Sequence, residues 1–181
     1  MIQQPIFIIA GEQGEGKTTK LEAVIELLIS EAVLVKGFTA PGKWEGNLRS
    51  SFLIKNISTG ESKLLCQSSA ETGFFKIGRF YFDLNTIIYG EQLINSARVG
   101  ELVVIDEVGR FEIKGFVWGP VLKSVLQSND HPIILTIRNS FIEDVLKYFK
   151  ISNCFIFSLN ETPKEIVEKI INELQSIYPK K

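Results

Sequence analysis

An α/β fold is predicted: a three-layer sandwich around a mostly parallel sheet, with a β-hairpin inserted after the second strand. Three observations carry this. Apolar runs of strand length recur at residues 5–10, 32–38, 102–105, 132–136 and 154–158, and stretches of helical period separate most of them. The first run feeds a glycine-rich turn that opens into a helix, which is the order of a phosphate-binding unit. Residues 39–83 lose helical period and gain turn residues, so they stand apart from the alternating pattern. Residues 1–181 read as one domain, long enough to bury a real core, with 39–83 inserted in it.

Each element has its own signal. After the first strand, residues 20–31 place Leu21, Val24, Ile25, Leu28 and Ile29 on one helical stripe. Residues 32–38 follow almost at once as a buried second strand, which makes a βαβ unit. Residues 40–47 read as loop, and residues 49–57 and 62–67 flank Ser58-Thr59-Gly60-Glu61 as a hairpin. Residues 68–78 read as another loop and 79–83 as a short strand. A helix is expected over 89–98, then the third buried strand at 102–105, ending in Asp106-Glu107 and a turn at Gly109. A helix over 117–126 leads to the fourth strand, and 154–158 is the fifth. Ser140 to Glu143 and Thr162 to Glu165 carry capping-box spacing, the second with Pro163 at the first helical position. The last helix, 163–176, shows Ile166, Ile170 and Leu174 in one stripe and ends in a solvated Pro179-Lys180-Lys181 tail. In such a sandwich the ligand lies at the carboxyl ends of the strands.

Composition narrows the function classes. Charged residues at 23% and hydrophobic ones at 45% are ordinary for a globular protein, and no apolar segment reaches the roughly 18 residues needed to cross a bilayer. Met1-Ile2-Gln3-Gln4 lacks the basic region of a signal peptide, and a cytoplasmic location without membrane attachment is expected. A net charge of −1 weighs against nucleic acid as partner. Cys66 and Cys154 lack metal-site spacing and read as buried reduced thiols. The single histidine, His131, sits in a turn, is expected to face solvent, and cannot build a triad or zinc site alone.

The chemistry is concentrated in two places. Gly11-Glu12-Gln13-Gly14-Glu15-Gly16-Lys17-Thr18-Thr19 has the Walker A spacing, filled at Gly11, Gly16, Lys17 and Thr18. Glycines let successive backbone N–H groups turn inward onto phosphate, and the following helix start adds its dipole. Lys17 can reach the β and γ phosphates, and the Thr18 hydroxyl can ligate Mg²⁺. The second place is the apolar strand ending in Asp106-Glu107, a Walker B pattern followed by another carboxylate. Asp106 is a candidate for the same Mg²⁺, and Glu107 for orienting a water for in-line attack. Thr136, at a neighbouring strand end, is a candidate donor to that water or to the γ-phosphate. Arg110 and Arg138 follow strand ends facing the γ-phosphate side and are candidate arginine fingers; each has a plainer reading as partner of a surface acid such as Glu112 or Glu143. The insertion is expected either to shape the nucleotide site or to extend the sheet edge, and Trp44 and Phe52 either to stack a base or to fill core.

With both elements placed, the chain resembles the small P-loop nucleoside-triphosphatase family, which includes thermophile enzymes and a human cancer-related NTPase. Residues 11–19, 36–39, 49–52, 78–83 and 105–112 carry the resemblance; the Asp106-Glu107-x-Gly109-x-x-Glu112 block and the inserted hairpin are its specific parts. The resemblance implies a P-loop NTPase sandwich and slow, Mg²⁺-dependent hydrolysis of several nucleoside triphosphates, ATP and GTP among them, to diphosphate and phosphate. Two other classes stay open on the residues alone. One is a small-molecule or nucleotide kinase, for which Arg49 and Arg79 leave room for a basic lid; the other is a nucleotide-regulated binding module. The preferred base and any protein partner are not readable.

Overall fold

The structure, a computed structural model, describes residues 3–178. The ends of the chain discussed above, Met1-Ile2 and Pro179-Lys180-Lys181, lie outside the described residues. The elements run β1 (Ile6–Ala10), α1 (Lys17–Ser30), β2 (Val35–Thr39), β3 (Gly42–Glu45), β4 (Leu48–Asn56), β5 (Ser62–Gln67), β6 (Phe75–Ile77), β7 (Phe80–Phe82), α2 (Leu84–Asn95), β8 (Leu102–Val108), α3 (Arg110–Ile113), α4 (Gly119–Ser128), β9 (Ile133–Ile137), α5 (Ile142–Phe149), β10 (Cys154–Ser158) and α6 (Pro163–Ile177).

Among the described residues the strands form one sheet in the order β10-β1-β9-β8-β2-β4-β5-β7-β6, with β3 paired to β4. The first five are parallel to their neighbours, and every pairing beyond β2 is antiparallel. The sheet is therefore mixed rather than mostly parallel. The insertion causes this: residues 39–83 contribute β3 to β7, which prolong the parallel sheet past β2. Residues 42–45 and 75–77, expected as loop, are strands because β4 and β7 offer them paired edges.

Alternation along the parallel strands divides the core into two layers. Phe7, Ile9, Leu102, Val104 and Ile134 pack against α1 and α6, whereas Ile8, Val103, Ile105, Ile133 and Leu135 pack against α2, α4 and α5. At Gly37 (φ +109°) a Cβ would stand 2.0 Å from the Val104 carbonyl oxygen, so β2 approaches β8 only as glycine. Phe38 meets Trp118 at 4.5 Å between ring centroids, which fastens α4 to the centre of the sheet.

Several boundaries moved for local reasons. The helix expected over 89–98 is α2 at Leu84–Asn95, because the Asp83 carboxylate accepts from the Asn85 N–H and caps it five residues earlier. Thr162 and Glu165 form the capping box of α6, but Ser140 makes no cap: a single 3₁₀ turn, Asn139–Phe141, precedes α5. The fifth strand, β10, is an edge of the sheet, and Ile156 on it lies exposed. Both cysteines are free, Cys66 buried and Cys154 half-buried. His131 is half-buried instead of solvent-facing, with Nδ1 3.3 Å from the Glu101 carbonyl oxygen. No helix among the described residues is long and apolar enough to cross a membrane.

Candidate active site

Residues 11–16 turn the chain from β1 into α1. Gly14 (φ +83°) and Gly16 (φ +97°) are left-handed, where a side chain is costly. Gly16 caps α1 without a side-chain hydrogen bond, so the first N–H groups of the helix are open to an anion. The loop is held on two sides: a Cβ at Gly11 would come 2.5 Å from Leu159 Cδ1, and one at Gly14 would come 3.2 Å from the Trp44 ring. Lys17 is 7% exposed and its Nζ donates to the Glu12 carbonyl at 2.8 Å. Burial holds this ammonium below the usual lysine value, and the Glu107 carboxylate pulls it back upward. Within the loop the Glu12 N–H donates to Glu15 Oε2 at 2.7 Å. Glu12, Gln13, Glu15 and Thr19 are exposed, and Thr18 is half-buried.

Two strands away, Asp106 and Glu107 sit in a bulge of β8, where the register against β9 shifts between Ile105 and Val108. The peptide between them is cis. In a regular strand adjacent side chains point to opposite faces; with the bulge both residues line one cavity. Asp106 is 0% exposed, accepts from the Ala40 N–H at 2.8 Å, and receives the Thr136 hydroxyl on Oδ1. Burial pushes its carboxyl upward, and hydrogen bonds from Thr136, Ala40 and Thr18 oppose that push. Thr18 and Asp106 thus meet, and together they are the groups able to hold a hard cation here.

Thr136 does not do what its strand-end position suggested. Its hydroxyl is 0% exposed and committed to Asp106, so it positions the carboxylate rather than facing a phosphate or water. Arg138 pairs with neither Glu112 nor Glu143. Its Nε and terminal nitrogen both reach Glu107 Oε1 at 2.9 Å, and its other terminal nitrogen donates to Gln13 Oε1 at 3.0 Å. This guanidinium joins the loop of β1 to the second carboxylate. Arg110, on α3, is exposed and forms no ion pair among the described residues.

Beside these groups opens a cavity of about 830 Å³, walled by Gln13, Asp106, Glu107 and Arg138 on one side and by the insertion on the other. Trp44, half exposed on β3, lies against the loop at Gly14, with the Arg49 guanidinium 4.5 Å from its ring centroid. Phe52 lines the cavity and meets Phe80 edge-on at 5.5 Å. The insertion therefore forms part of the site.

Sequence reasoning singled out Lys17, Thr18, Asp106, Glu107 and Arg138, and the fold gathers them. It read Glu112 as a surface acid open to an arginine, whereas the residue is 4% exposed, accepts from the Gly109 N–H at 2.8 Å, and has its carboxyl pushed up to about 7 by burial. A glutamate three residues after a glycine that precedes a helix is the signal that could have found it. The link from Gln13 to Arg138 had no sequence signal.

Comparison with known proteins shows the family. A sequence profile of the NTPase family matches residues 6–172. The nucleoside-triphosphatase THEP1 of Sulfurisphaera tokodaii is 30% identical over 176 residues, covering 92% of this chain and 95% of that one. The THEP1 of Caldivirga maquilingensis is 35% identical over 111 residues, 61% of this chain and 62% of that protein. The solution structure of a human cancer-related nucleoside triphosphatase superposes with a TM-score of 0.70, covering 98% of this chain and 100% of that one at 22% identity. The chain therefore belongs to the NTPase family of small P-loop nucleoside triphosphatases.

Proposed function

We propose that this protein hydrolyses nucleoside triphosphates, ATP and GTP included, to diphosphate and phosphate in a Mg²⁺-dependent reaction. The observation that carries the reading is the convergence of the open N-terminus of α1, Lys17, Thr18, Asp106 and Glu107 at the carboxyl ends of β1 and β8. The names of its relatives support the same substrate class.

The loop N–H groups and Lys17 hold the phosphate chain, and Lys17 leaves the Glu12 carbonyl to do so. Thr18 and Asp106 would hold Mg²⁺, which would neutralise charge on the phosphates when bound there. Glu107 accepts a hydrogen bond from the attacking water and orients it toward the γ-phosphorus. The water oxygen bonds to the γ-phosphorus as the bond from that phosphorus to the β-bridging oxygen breaks, and a proton of the water passes to Glu107. Arg138, already beside Glu107, supplies positive charge against the negative charge on the transferring phosphoryl group, the role of an arginine finger in cis. Arg110 is the second candidate for that role.

Release of inorganic phosphate from ATP, GTP, CTP and UTP, measured with Mg²⁺ and with the metal chelated, tests the reading. Release from several of them that depends on Mg²⁺ is expected. Absence of release from all four, or release indifferent to chelation, would overturn it.

A further inference from the structure

The cavity beyond Glu107 is far larger than hydrolysis needs. One attacking water takes up about 30 Å³, whereas the cavity encloses about 830 Å³, a size typical of small-molecule sites. Its position is equally telling. Gln13, Asp106, Glu107 and Arg138 are in its wall, while Lys17, Thr18 and the loop glycines are not. With the phosphates read onto the loop and Lys17, and the terminal one toward Asp106 and Glu107, the cavity lies on the side of that phosphate away from the loop.

Charge is the second observation. The chain has a net charge of −1, yet six cationic side chains and three carboxylates line this one cavity. The carboxylates are already engaged, Glu107 by Arg138, Asp106 by Thr136 and Ala40, and Glu112 by the Gly109 N–H. Arg49, Lys76, Arg79, Arg110 and Lys114 have no ion pair among the described residues. Arg49 Nε is in addition a buried donor without an acceptor. Their summed field favours an anion in the cavity: Arg49 is half-buried over the Trp44 and Phe52 rings, and Lys76, Arg79, Arg110 and Lys114 are exposed at the rim.

The rest of the wall is aromatic. Phe52, Phe80, Phe82, Phe111 and Phe141 line it, with Phe82 and Phe111 edge-to-face at 5.6 Å. Inorganic phosphate alone would leave that apolar surface wet. A planar ring carrying a phosphate satisfies both sides at once.

We propose that the cavity binds a ring-bearing phosphomonoester of the nucleoside monophosphate class, and that this ligand, in place of water, accepts the terminal phosphoryl group. The proposal rests on the phosphate-site reading above. An already deprotonated oxygen of the monophosphate bonds to the terminal phosphorus of the triphosphate as the bond from that phosphorus to the β-bridging oxygen breaks. Two nucleoside diphosphates result, and no proton is taken up or released.

The test uses the full chain with Mg²⁺ and ATP labelled on its terminal phosphate, alone and with AMP, GMP, CMP or UMP at millimolar concentration. Labelled orthophosphate and labelled diphosphate are separated. At least one monophosphate is expected to carry the label, at a rate about ten-fold or more above hydrolysis without acceptor, as positioning favours the bound nucleophile. Lys114→Ala and the double variant Lys76→Ala/Arg79→Ala are expected to raise the KM for that monophosphate about ten-fold, the loss of a charge-assisted contact, with hydrolysis in its absence unchanged. Label in orthophosphate alone, monophosphate binding without transfer, competition of the monophosphate with ATP, or normal transfer by the rim variants would each overturn the proposal. Loss of hydrolysis together with transfer in the wild-type protein would instead overturn the phosphate-site reading beneath it.

Discussion

Replacing Thr136 by valine would remove one hydroxyl from the site and little else. Valine has nearly the shape of threonine and a β-branched preference for the centre of β9, so the packing of this 0% exposed position survives. What is lost is the donor to Asp106 Oδ1. Asp106 is itself 0% exposed, and burial already disfavours its charged form; the Ala40 N–H and the Thr18 hydroxyl would be left to hold it. A hydrogen bond to a charged group contributes about 1.5–3 kcal/mol, which corresponds to roughly 10- to 150-fold in an equilibrium constant. Thr136→Val is therefore expected to weaken Mg²⁺-dependent nucleotide binding by about ten-fold or more, whereas Thr136→Ser, which keeps the hydroxyl, stays near wild type. Titration of a fluorescent nucleotide at a series of Mg²⁺ concentrations measures this. Wild-type Mg²⁺ dependence in the valine variant, or equal loss in the serine variant, would refute the positioning role.

Glu107→Gln is expected to keep nucleotide affinity within a few fold and to lower kcat by about 10²-fold or more, since it removes a water-orienting base but no cation ligand; steady-state hydrolysis with direct binding separates the two effects, and Asp106→Asn should instead impair Mg²⁺-dependent affinity. Arg138→Ala is expected to cut kcat at least about ten-fold with binding little changed, and Arg110→Ala to do less, because only Arg138 is already held beside Glu107; single-turnover rates of both variants decide it. Glu112→Gln is expected to flatten the pH dependence of stability. Burial pushes the Glu112 carboxyl from the ordinary 4.5 up to about 7, so the folded state is expected to retain a proton that the unfolded state gives up between those values. Stability therefore falls as pH rises from about 4.5 to 7, by about 3 kcal/mol from this residue, and urea unfolding of wild type and variant across that range shows whether the fall disappears.

The legible parts of the chain were those where one short stretch carries its own physics. The turn at residues 11–16 needs glycines for its backbone and a helix start for its charge, and both requirements are local. The same holds for the five parallel strands, whose apolar runs are continuous because helices cover both faces wherever the strand is not an edge. The insertion resisted reading because β3 and β6 are strands only through their partners β4 and β7, which pair with them across the hairpin turns. Glu112 and Thr136 were misjudged for a related reason. Each is polar next to a strand end, and only the folded chain shows that one hydroxyl turns inward to Asp106 and one carboxylate inward to the Gly109 N–H. Arg138 was singled out as a cation on the γ-phosphate side, but its anchors, Glu107 and Gln13, lie 31 and 125 residues away in the chain.

The central claim is that Lys17 and the loop before it bind the phosphates whose terminal group is then released. Hydrolysis of ATP by wild type and Lys17→Ala, followed as labelled phosphate, tests it most directly, with circular dichroism to show that the variant is folded. Among the described residues the Lys17 side chain hydrogen-bonds only its own loop, through the Glu12 carbonyl, so the fold should survive its loss, while nucleotide binding and turnover should fall by about 10²-fold or more. A folded Lys17→Ala protein that hydrolyses ATP at the wild-type rate would contradict the account.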